Sequence, residues 1–185
     1  MALRYLGLDP ATDVSKLNIG SAPNILAALQ TGSLDAGVLS SPTDLQASAA
    51  GMRLMVDVAK VGDPFPSGWA AASKQYVANH QATIQAYVNC VAEAVAFEIQ
   101  NPAQTQRILS TYTKTDDPGI SKEAYEQVVP YLNKNPKPDP KAVQTALEEL
   151  STTVPQAKSA TPTQFIDARF TDQLESSGLV KSLYP

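Results

Sequence analysis

The sequence predicts an α/β fold, with a parallel sheet in its first half and a layer of helices in its second half. Three short apolar runs, at 16–20, 34–40 and 52–59, are separated by two segments with helical patterning. This order of strand, helix, strand, helix and strand is typical of parallel pairing with right-handed crossovers. From position 75 onward, apolar residues recur at helical spacing, and no further strand is predicted there.

The first predicted elements are the end of a helix and one strand-helix unit. Gly7 and the turn at Asp9-Pro10 are typical of a helix end, so we expect the chain to begin in the middle of a fold. The strand "KLNIG" follows. Ser21 is then a good N-cap, Pro23 lies near the first helical position, and Gly32 is expected to stop this helix.

The second unit repeats this arrangement. The run "LDAGVLS" is apolar enough for a strand that is buried on both faces. Ser41 and Pro42 then begin a short helix that is expected to end at Gly51. The strand "MRLMVDVA" follows, and after a turn-rich loop the stretch "WAAAS" at 69–73 is predicted as a last strand.

The second half is predicted to be helical throughout. A long helix carries Ile84, Val88, Val91, Val95 and Ile99 on one face and breaks at Asn101-Pro102. Further helices are predicted within 102–112, 121–132, 141–154 and 162–178, the last closed by Gly178. Such amphipathic helices must bury their apolar faces on a sheet or on another layer.

Composition limits the classes of function. The net charge is −4 and the 14 Lys and Arg are scattered, so the basic patch that a nucleic-acid partner requires is missing. One cysteine, Cys90, and one histidine, His80, exclude an internal disulfide and a cysteine-histidine metal cluster. The sequence also has no phosphate-loop glycine pattern, nucleophile elbow or metal motif, so we predict no metal, no cofactor and no catalytic residue. No run is long enough to span a bilayer, and no signal peptide is visible.

The two serine-led helix starts are the candidate ligand site. Helix N-termini present unpaired N–H groups that suit carboxylate, sulfonate or phosphate oxygens. Ser21 and Ser41 could add hydroxyl donors, and Ala22 allows a close backbone approach. Ordinary capping is the favoured explanation for each serine taken alone, and the placement of both after successive predicted strands favours a ligand site. The single tryptophan, Trp69, either stacks on a ligand or serves as a core aromatic residue.

The remaining reactive side chains favour structural roles. Cys90 falls on the most apolar part of a long helix, which favours a buried and inert thiol. His80 lies at a helix junction, which favours a capping or solvated role.

The stretch "IGSAPNILAALQTGSLDAGVLSSP" resembles the central segment of the solute-binding proteins of nitrate, sulfonate and taurine ABC importers. It is also similar to the binders of the thiamine pyrimidine precursor, and its most specific part is Gln30 to Ala36. The stretches at 51–73, 87–109 and 170–185 resemble later parts of the same family in the same order. The similarity thus covers nearly the whole chain.

The resemblance implies a periplasmic-binding-protein type II fold from which the first lobe is absent. It implies the end of a first-lobe helix and a linker at 1–16, an α/β ligand-binding lobe with a crossover at 17–73, and a helical region at 74–185. The ligand contacts that it implies are Ser21, Ala22, Ser41, Pro42 and Trp69.

The function that the resemblance implies is the binding component of an ABC importer, without enzymatic activity. The ligand would be a small organic anion such as a sulfonate, nitrate or carboxylate, or a pyrimidine-like compound, held in an interlobe cleft. The implied partner is a permease and the implied location is periplasmic or otherwise extracytoplasmic. Exposed helices on such a chain favour homo-oligomers.

Two alternatives stay open from the sequence. One is an enzyme of the same fold that makes the thiamine pyrimidine, although that chemistry is histidine- and metal-centred and the chain has one histidine. The other is a truncated interaction domain that assembles with itself through its helices.

Overall fold

The computed structural model describes residues 2–184, and the secondary structure of this part is helical. The helices are α1 (Ala2–Tyr5), α2 (Ala22–Gln30), α3 (Thr43–Ala49), α4 (Lys74–Asn79), α5 (Gln81–Gln100), α6 (Pro102–Thr113), α7 (Pro118–Val128), α8 (Pro140–Leu150), α9 (Arg169–Ser176) and α10 (Leu179–Leu183). Short 3₁₀ turns lie at Val58–Lys60, Val129–Tyr131, Pro155–Ser159 and Pro162–Gln164.

The predicted parallel sheet is wrong, because the described residues contain no strand. The runs at 16–20, 34–40 and 69–73 are irregular, and the run at 52–59 ends in a 3₁₀ turn. Their apolar side chains are also exposed, with Leu17 at 63%, Val38 at 74% and Leu54 at 69% of full exposure. An apolar run indicates only that burial would be favourable, whereas a strand also needs hydrogen-bonded neighbours. An α/β second lobe of the type II periplasmic-binding fold is therefore not supported.

The helix starts and stops of the first half are confirmed. Ser21 occupies the N-cap position of α2, and α3 begins directly after Pro42. Gly32 and Gly51 follow the ends of α2 and α3 with φ of 71° and 85°, the left-handed conformation that glycine adopts without steric cost. These boundaries depend on local backbone chemistry, which explains why the sequence predicts them without a sheet.

The chain divides into two compact units, and unit 1 consists of Met1–Gly62 and Pro102–Pro130. In this unit α6 packs on α7, and α3 contacts both α2 and α7. Its buried apolar residues are Leu26, Leu45, Ala47, Ala124 and Tyr125. The hydroxyls of Ser110 and Ser121 lie 2.6 Å apart in a hydrogen bond within the part-buried α6–α7 contact.

Unit 2 consists of Asp63–Asn101 and Tyr131–Pro185. Here α5 contacts α9 and α10, while α8 packs against the two 3₁₀ turns at 155–159 and 162–164. The buried residues of α5 are Ala92 and Ala96, and Leu174 of α9 is fully buried. The Gln85 amide also donates to the carbonyl oxygen of Phe170 at 3.1 Å, which fixes α9 along α5.

The helices predicted for the second half are confirmed, including the break at Asn101-Pro102 between α5 and α6. The predicted burial of Cys90 is wrong, because its side chain is exposed. Position 90 lies about 200° around the helix from position 92, and Ala92 is on the buried face. The division of the chain at 1–16, 17–73 and 74–185 stays a prediction.

Candidate functional site

The start of α2 presents a serine that does not cap its helix. Ser21 has the extended N-cap backbone (φ −78°, ψ 157°), yet its side chain makes no capping hydrogen bond. Its carbonyl oxygen accepts from the Ile25 N–H at 3.1 Å, as the first helical hydrogen bond requires. Within residues 2–184 the exposed Ser21 hydroxyl has no hydrogen-bond partner, so it is available to a ligand.

The loop before Ser21 is held by local contacts. The N–H of Gly20 donates to the Asn18 side-chain oxygen at 3.1 Å, and Gly20 has a φ of 90°. A side chain bonded to the backbone two residues on is a common way to fix a turn. The orientation of the α2 start is therefore set by residues directly next to it in sequence.

The start of α3 is built differently. The peptide bond between Ser41 and Pro42 is cis, and the N–H groups of Thr43 and Asp44 both donate to the Ser40 carbonyl oxygen, at 2.9 and 3.3 Å. The Ser41 hydroxyl donates to the side-chain oxygen of Gln127 on α7 at 3.1 Å. Because a hydroxyl has one proton, Ser41 keeps only acceptor capacity for a ligand while this bond holds.

Asp44 adds a negative group in the first turn of α3. One of its carboxylate oxygens is buried and has no hydrogen-bond partner in the described part of the chain. A carboxylate at a helix N-terminus interacts favourably with the helix dipole and disfavours a second anion nearby. The start of α2 is consequently the better place for an anionic ligand group.

The structure places four of the five predicted site residues in unit 1. Ser21 and Ala22 begin α2, Ser41 and Pro42 precede α3, and these two helices contact each other. Trp69 belongs to unit 2, where 45% of its surface is exposed. Whether these residues hold a ligand stays a prediction.

Two residues that hold the candidate site in place, Gln127 and Asn18, were not predicted from the sequence. Gln127 binds the Ser41 hydroxyl from 86 positions away, and nothing in the sequence links the two residues. Asn18, by contrast, precedes Gly20 by two residues in a pattern typical of a side-chain-closed turn. That signal was available in the sequence.

Two carboxyl groups have a pKa that is lowered by a neighbour in sequence, and a third has a pKa that is raised by burial. The hydrogen bond from Lys60 lowers the pKa of Asp57, and the hydrogen bond from Arg169 lowers the pKa of Asp167. Burial raises the pKa of Glu98. Ion pairs between close neighbours are common structural features of protein surfaces, so the first two shifts fit a structural role.

No group of three or more His, Cys, Asp or Glu side chains within 2–184 is placed to hold a metal ion. None of the helices in that range is both long enough and apolar enough to cross a membrane.

Comparison with known proteins places the chain in a class of solute-binding proteins and, within it, in one family. Residues 1–111 match a family related to solute-binding proteins, described as the NMT1-like family. This stretch is more than half of the chain, and the chain belongs to the NMT1-like family. At the family level these are substrate-binding proteins of ABC-type transport, generally non-enzymatic and typically extracytoplasmic. Searches of curated proteins and of solved structures gave no match.

The matched residues 1–111 contain both serine-led helix starts and Trp69. They include α1 to α5 and most of α6, whereas α7 and its residue Gln127 lie beyond them. The candidate site thus lies in the part of the chain that carries the family similarity.

Proposed function

We propose that the chain is the substrate-binding component of an ABC importer and that it binds a small organic anion at the start of α2. Sulfonates and carboxylates are the candidate organic anions, nitrate is the inorganic candidate, and a pyrimidine-like compound is the second candidate class. The observation that carries this proposal is membership in the NMT1-like family over residues that include both helix starts. The proposed partner is the permease of the importer, on the extracytoplasmic side of the membrane.

The α2 start offers the donors that an oxyanion needs. Its N-terminal N–H groups and the helix dipole favour negative charge by about 0.3–1 kcal/mol at an exposed site. The uncommitted Ser21 hydroxyl adds one more donor, and the small Ala22 side chain leaves room for close approach. In this proposal, Ser21 and Ala22 hold the anionic group.

The α3 start supplies an acceptor. Since the Ser41 proton is directed to Gln127, the Ser41 oxygen can accept from an N–H or O–H of the ligand. Pro42 has no N–H and contributes a rigid apolar surface. An amino-sulfonate or an aminopyrimidine carries both an acceptor and a donor group, which matches the donor at Ser21 and the acceptor at Ser41.

Isothermal titration calorimetry with a panel of four probes tests this proposal: an aminoalkyl sulfonate, nitrate, a short carboxylate and an aminopyrimidine. Ser21→Ala is expected to weaken binding of the preferred probe about tenfold, the loss of one hydrogen bond to a charged group. Because Ser21 makes no capping bond, this variant is expected to keep the stability of the native chain.

Ser73→Ala is the matched control. The Ser73 hydroxyl accepts from the Tyr76 N–H at 3.2 Å and is a true cap of α4. Its removal is expected to lower stability by about 1 kcal/mol and to leave ligand affinity unchanged. The proposal is contradicted if no probe binds, or if Ser21→Ala lowers stability while leaving the affinity of a bound probe intact.

Gln127→Ala separates the two ligand classes. Without Gln127 the Ser41 proton is free, so Ser41 becomes a donor as well as an acceptor. Affinity for an anion is then expected to rise, because Ser41 can donate to it, whereas affinity for a neutral ligand that donates to Ser41 is expected to stay constant, because the Ser41 oxygen is an acceptor in both cases. Equal losses for every probe would show that Gln127 acts only through stability.

A further inference from the structure

The segment that follows α3 in unit 1 carries a hydrogen bond to a methionine sulfur. The Arg53 Nε–H donates to the Sδ atom of Met55 at 3.3 Å, and both side chains are exposed, Met55 to 55%. We propose that Met55 is an oxidation site, at which a hydroperoxide transfers one oxygen atom to the sulfur. We further propose that Arg53 directs this reaction to one of the two epimers of the sulfoxide.

The backbone on both sides of this pair is anchored. On one side, the Met52 N–H donates to the Ala47 carbonyl oxygen of α3 at 3.0 Å. On the other side, the Asp57 side chain accepts from the Ala59 N–H at 3.1 Å and forms an ion pair with Lys60 at 3.0 Å. Arg53 and Met55 therefore lie in a short stretch between two fixed points, which limits how far their side chains can separate.

No carboxylate competes with the sulfur for the Arg53 guanidinium. Within residues 2–184, Arg53 forms no ion pair, and the Met55 sulfur is the side-chain acceptor to which it donates. Thioether sulfur is a weak acceptor, whereas a guanidinium carries five N–H donors and no acceptor. One donor of Arg53 is thus directed at the sulfur, and the other four stay available.

The proposed reaction uses a lone pair of the Met55 sulfur. The sulfur attacks the terminal oxygen of a hydroperoxide, and an S–O bond forms as the O–O bond breaks. The departing hydroxide or alkoxide takes up the proton that the transferred oxygen gives up. The thioether is thereby oxidised by two electrons to a sulfoxide, and the hydroperoxide is reduced to water or an alcohol. The exposure of Met55 lets the oxidant reach the sulfur from solvent.

The hydrogen bond from Arg53 makes the two lone pairs of this sulfur unequal. Oxidation at one lone pair or at the other gives opposite configurations at the sulfur, since a methionine sulfoxide is chiral. The Arg53 N–H occupies one lone pair, so the hydroperoxide meets the other. One epimer is then expected in about threefold excess, the selectivity that a weak hydrogen bond supports. The free N–H donors of Arg53 can afterwards bond the sulfoxide oxygen.

Met52 provides a comparison within the same segment. It is half-buried, and in the part of the chain that the structure describes its sulfur accepts no hydrogen bond. Because reaction with a dissolved oxidant follows exposure, Met52 is expected to be oxidised more slowly than Met55.

Limited oxidation of the full chain with hydrogen peroxide tests the proposal. The oxidised chain is digested, and its peptides are treated with one of two methionine sulfoxide reductases, each specific for one epimer. Tandem mass spectrometry measures how much Met55 each enzyme restores. One enzyme is expected to restore about three quarters of the oxidised Met55 and the other about one quarter. Equal restoration by the two enzymes would overturn the proposal, and so would oxidation of Met52 ahead of Met55.

Arg53→Ala tests the role of the guanidinium. Arg53 is exposed, so the fold is expected to stay intact by circular dichroism, while the two reductases restore nearly equal amounts of Met55. Arg107→Ala is the matched control, because Arg107 is an exposed arginine of the same unit that does not bond a methionine sulfur. The control is expected to keep the threefold excess. An excess that persists in Arg53→Ala, or that is lost in Arg107→Ala, would overturn the assigned role of Arg53.

Oxidation of the native chain in denaturing urea separates the folded contact from any preference of the local sequence. The unfolded chain keeps Arg53 two residues from Met55 but does not hold the Nε–H on the sulfur. The two reductases are therefore expected to restore equal amounts of Met55 after oxidation in urea. A threefold excess under these conditions would show that the folded structure does not direct the reaction, and would contradict the proposal.

Discussion

Leu174→Ala is expected to destabilise unit 2 more than the same substitution at any exposed leucine of that unit. Leu174 is the one large side chain among the described residues with less than 2% exposure, and it lies on α9, which contacts α5. The buried residues of α5 are the small Ala92 and Ala96. The substitution removes three carbon atoms, which cost about 2.4 kcal/mol at 0.8 kcal/mol for each buried carbon.

A cavity adds to this value. If the helices relax only in part, the cavity adds about 0.5–2 kcal/mol, so the expected total is about 3–4 kcal/mol. This total is a large fraction of the 5–15 kcal/mol that is typical of folded proteins. The urea midpoint is then expected to fall by about 1.5–2 M for a slope near 2 kcal/mol/M.

Trp69 provides the assay, because the single tryptophan belongs to the same unit as Leu174. Urea unfolding is followed by its fluorescence and, in parallel, by far-UV circular dichroism. Leu150→Ala is the matched control, since Leu150 lies on α8 in this unit and is 49% exposed. The control is expected to lose about 1 kcal/mol. A loss for Leu174→Ala that is no larger than the control would refute the assigned core.

Three further predictions follow from local contacts. Gly37→Ala is expected to destabilise unit 1 by about 1–3 kcal/mol because the new Cβ would overlap Cγ2 of Ile25. Ile25→Ala in the Gly37→Ala background should recover part of this loss. Additive losses of stability in the double-mutant cycle would contradict the contact. Asp117→Ala is expected to lower stability by about 1 kcal/mol, because the Asp117 side chain accepts from two N–H groups at the start of α7. Asp117→Asn should lower stability less, since asparagine is also a good N-cap. Equal decreases of the thermal midpoint in the two variants would argue against capping. The hydrogen bond from Arg169 lowers the pKa of Asp167 below its ordinary 3.8. The ionised Asp167 carboxylate therefore stabilises the fold above pH 3.8, and this stabilisation is lost as the pH falls through the lowered pKa. Asp167→Asn should therefore flatten a small acid-side slope in urea-derived stability, and an unchanged slope would show that the pair contributes nothing.

Local chemistry made the helix boundaries predictable. Ser21, Pro23 and Gly32 bracket α2, and Asn101-Pro102 separates α5 from α6, because caps, fixed φ and left-handed glycines act within a few residues. The sheet was not predictable in this way. Val38 and Leu54 sit in apolar runs typical of buried strands, but pairing depends on which other segments come near, and the pattern of one segment does not contain that information.

The same distinction applies to the candidate site. That Ser21 begins a helix follows from its sequence neighbours, whereas its lack of a capping bond required the structure. The commitment of the Ser41 proton to Gln127 depends on packing of α3 against α7 across 86 positions. Sequence therefore predicts where donors lie along the chain, and tertiary contact decides which of them are free.

The interleaving of the two units has a consequence for biosynthesis. Unit 1 needs α6 and α7, which emerge from the ribosome only after the 63–101 part of unit 2. When residue 111 has been synthesised, the region of family similarity is complete, yet α7 is still missing. Domains generally fold as units once their parts are available. During synthesis the first segments of both units are therefore incomplete at the same time, and an expression clone cut at residue 111 would end inside α6.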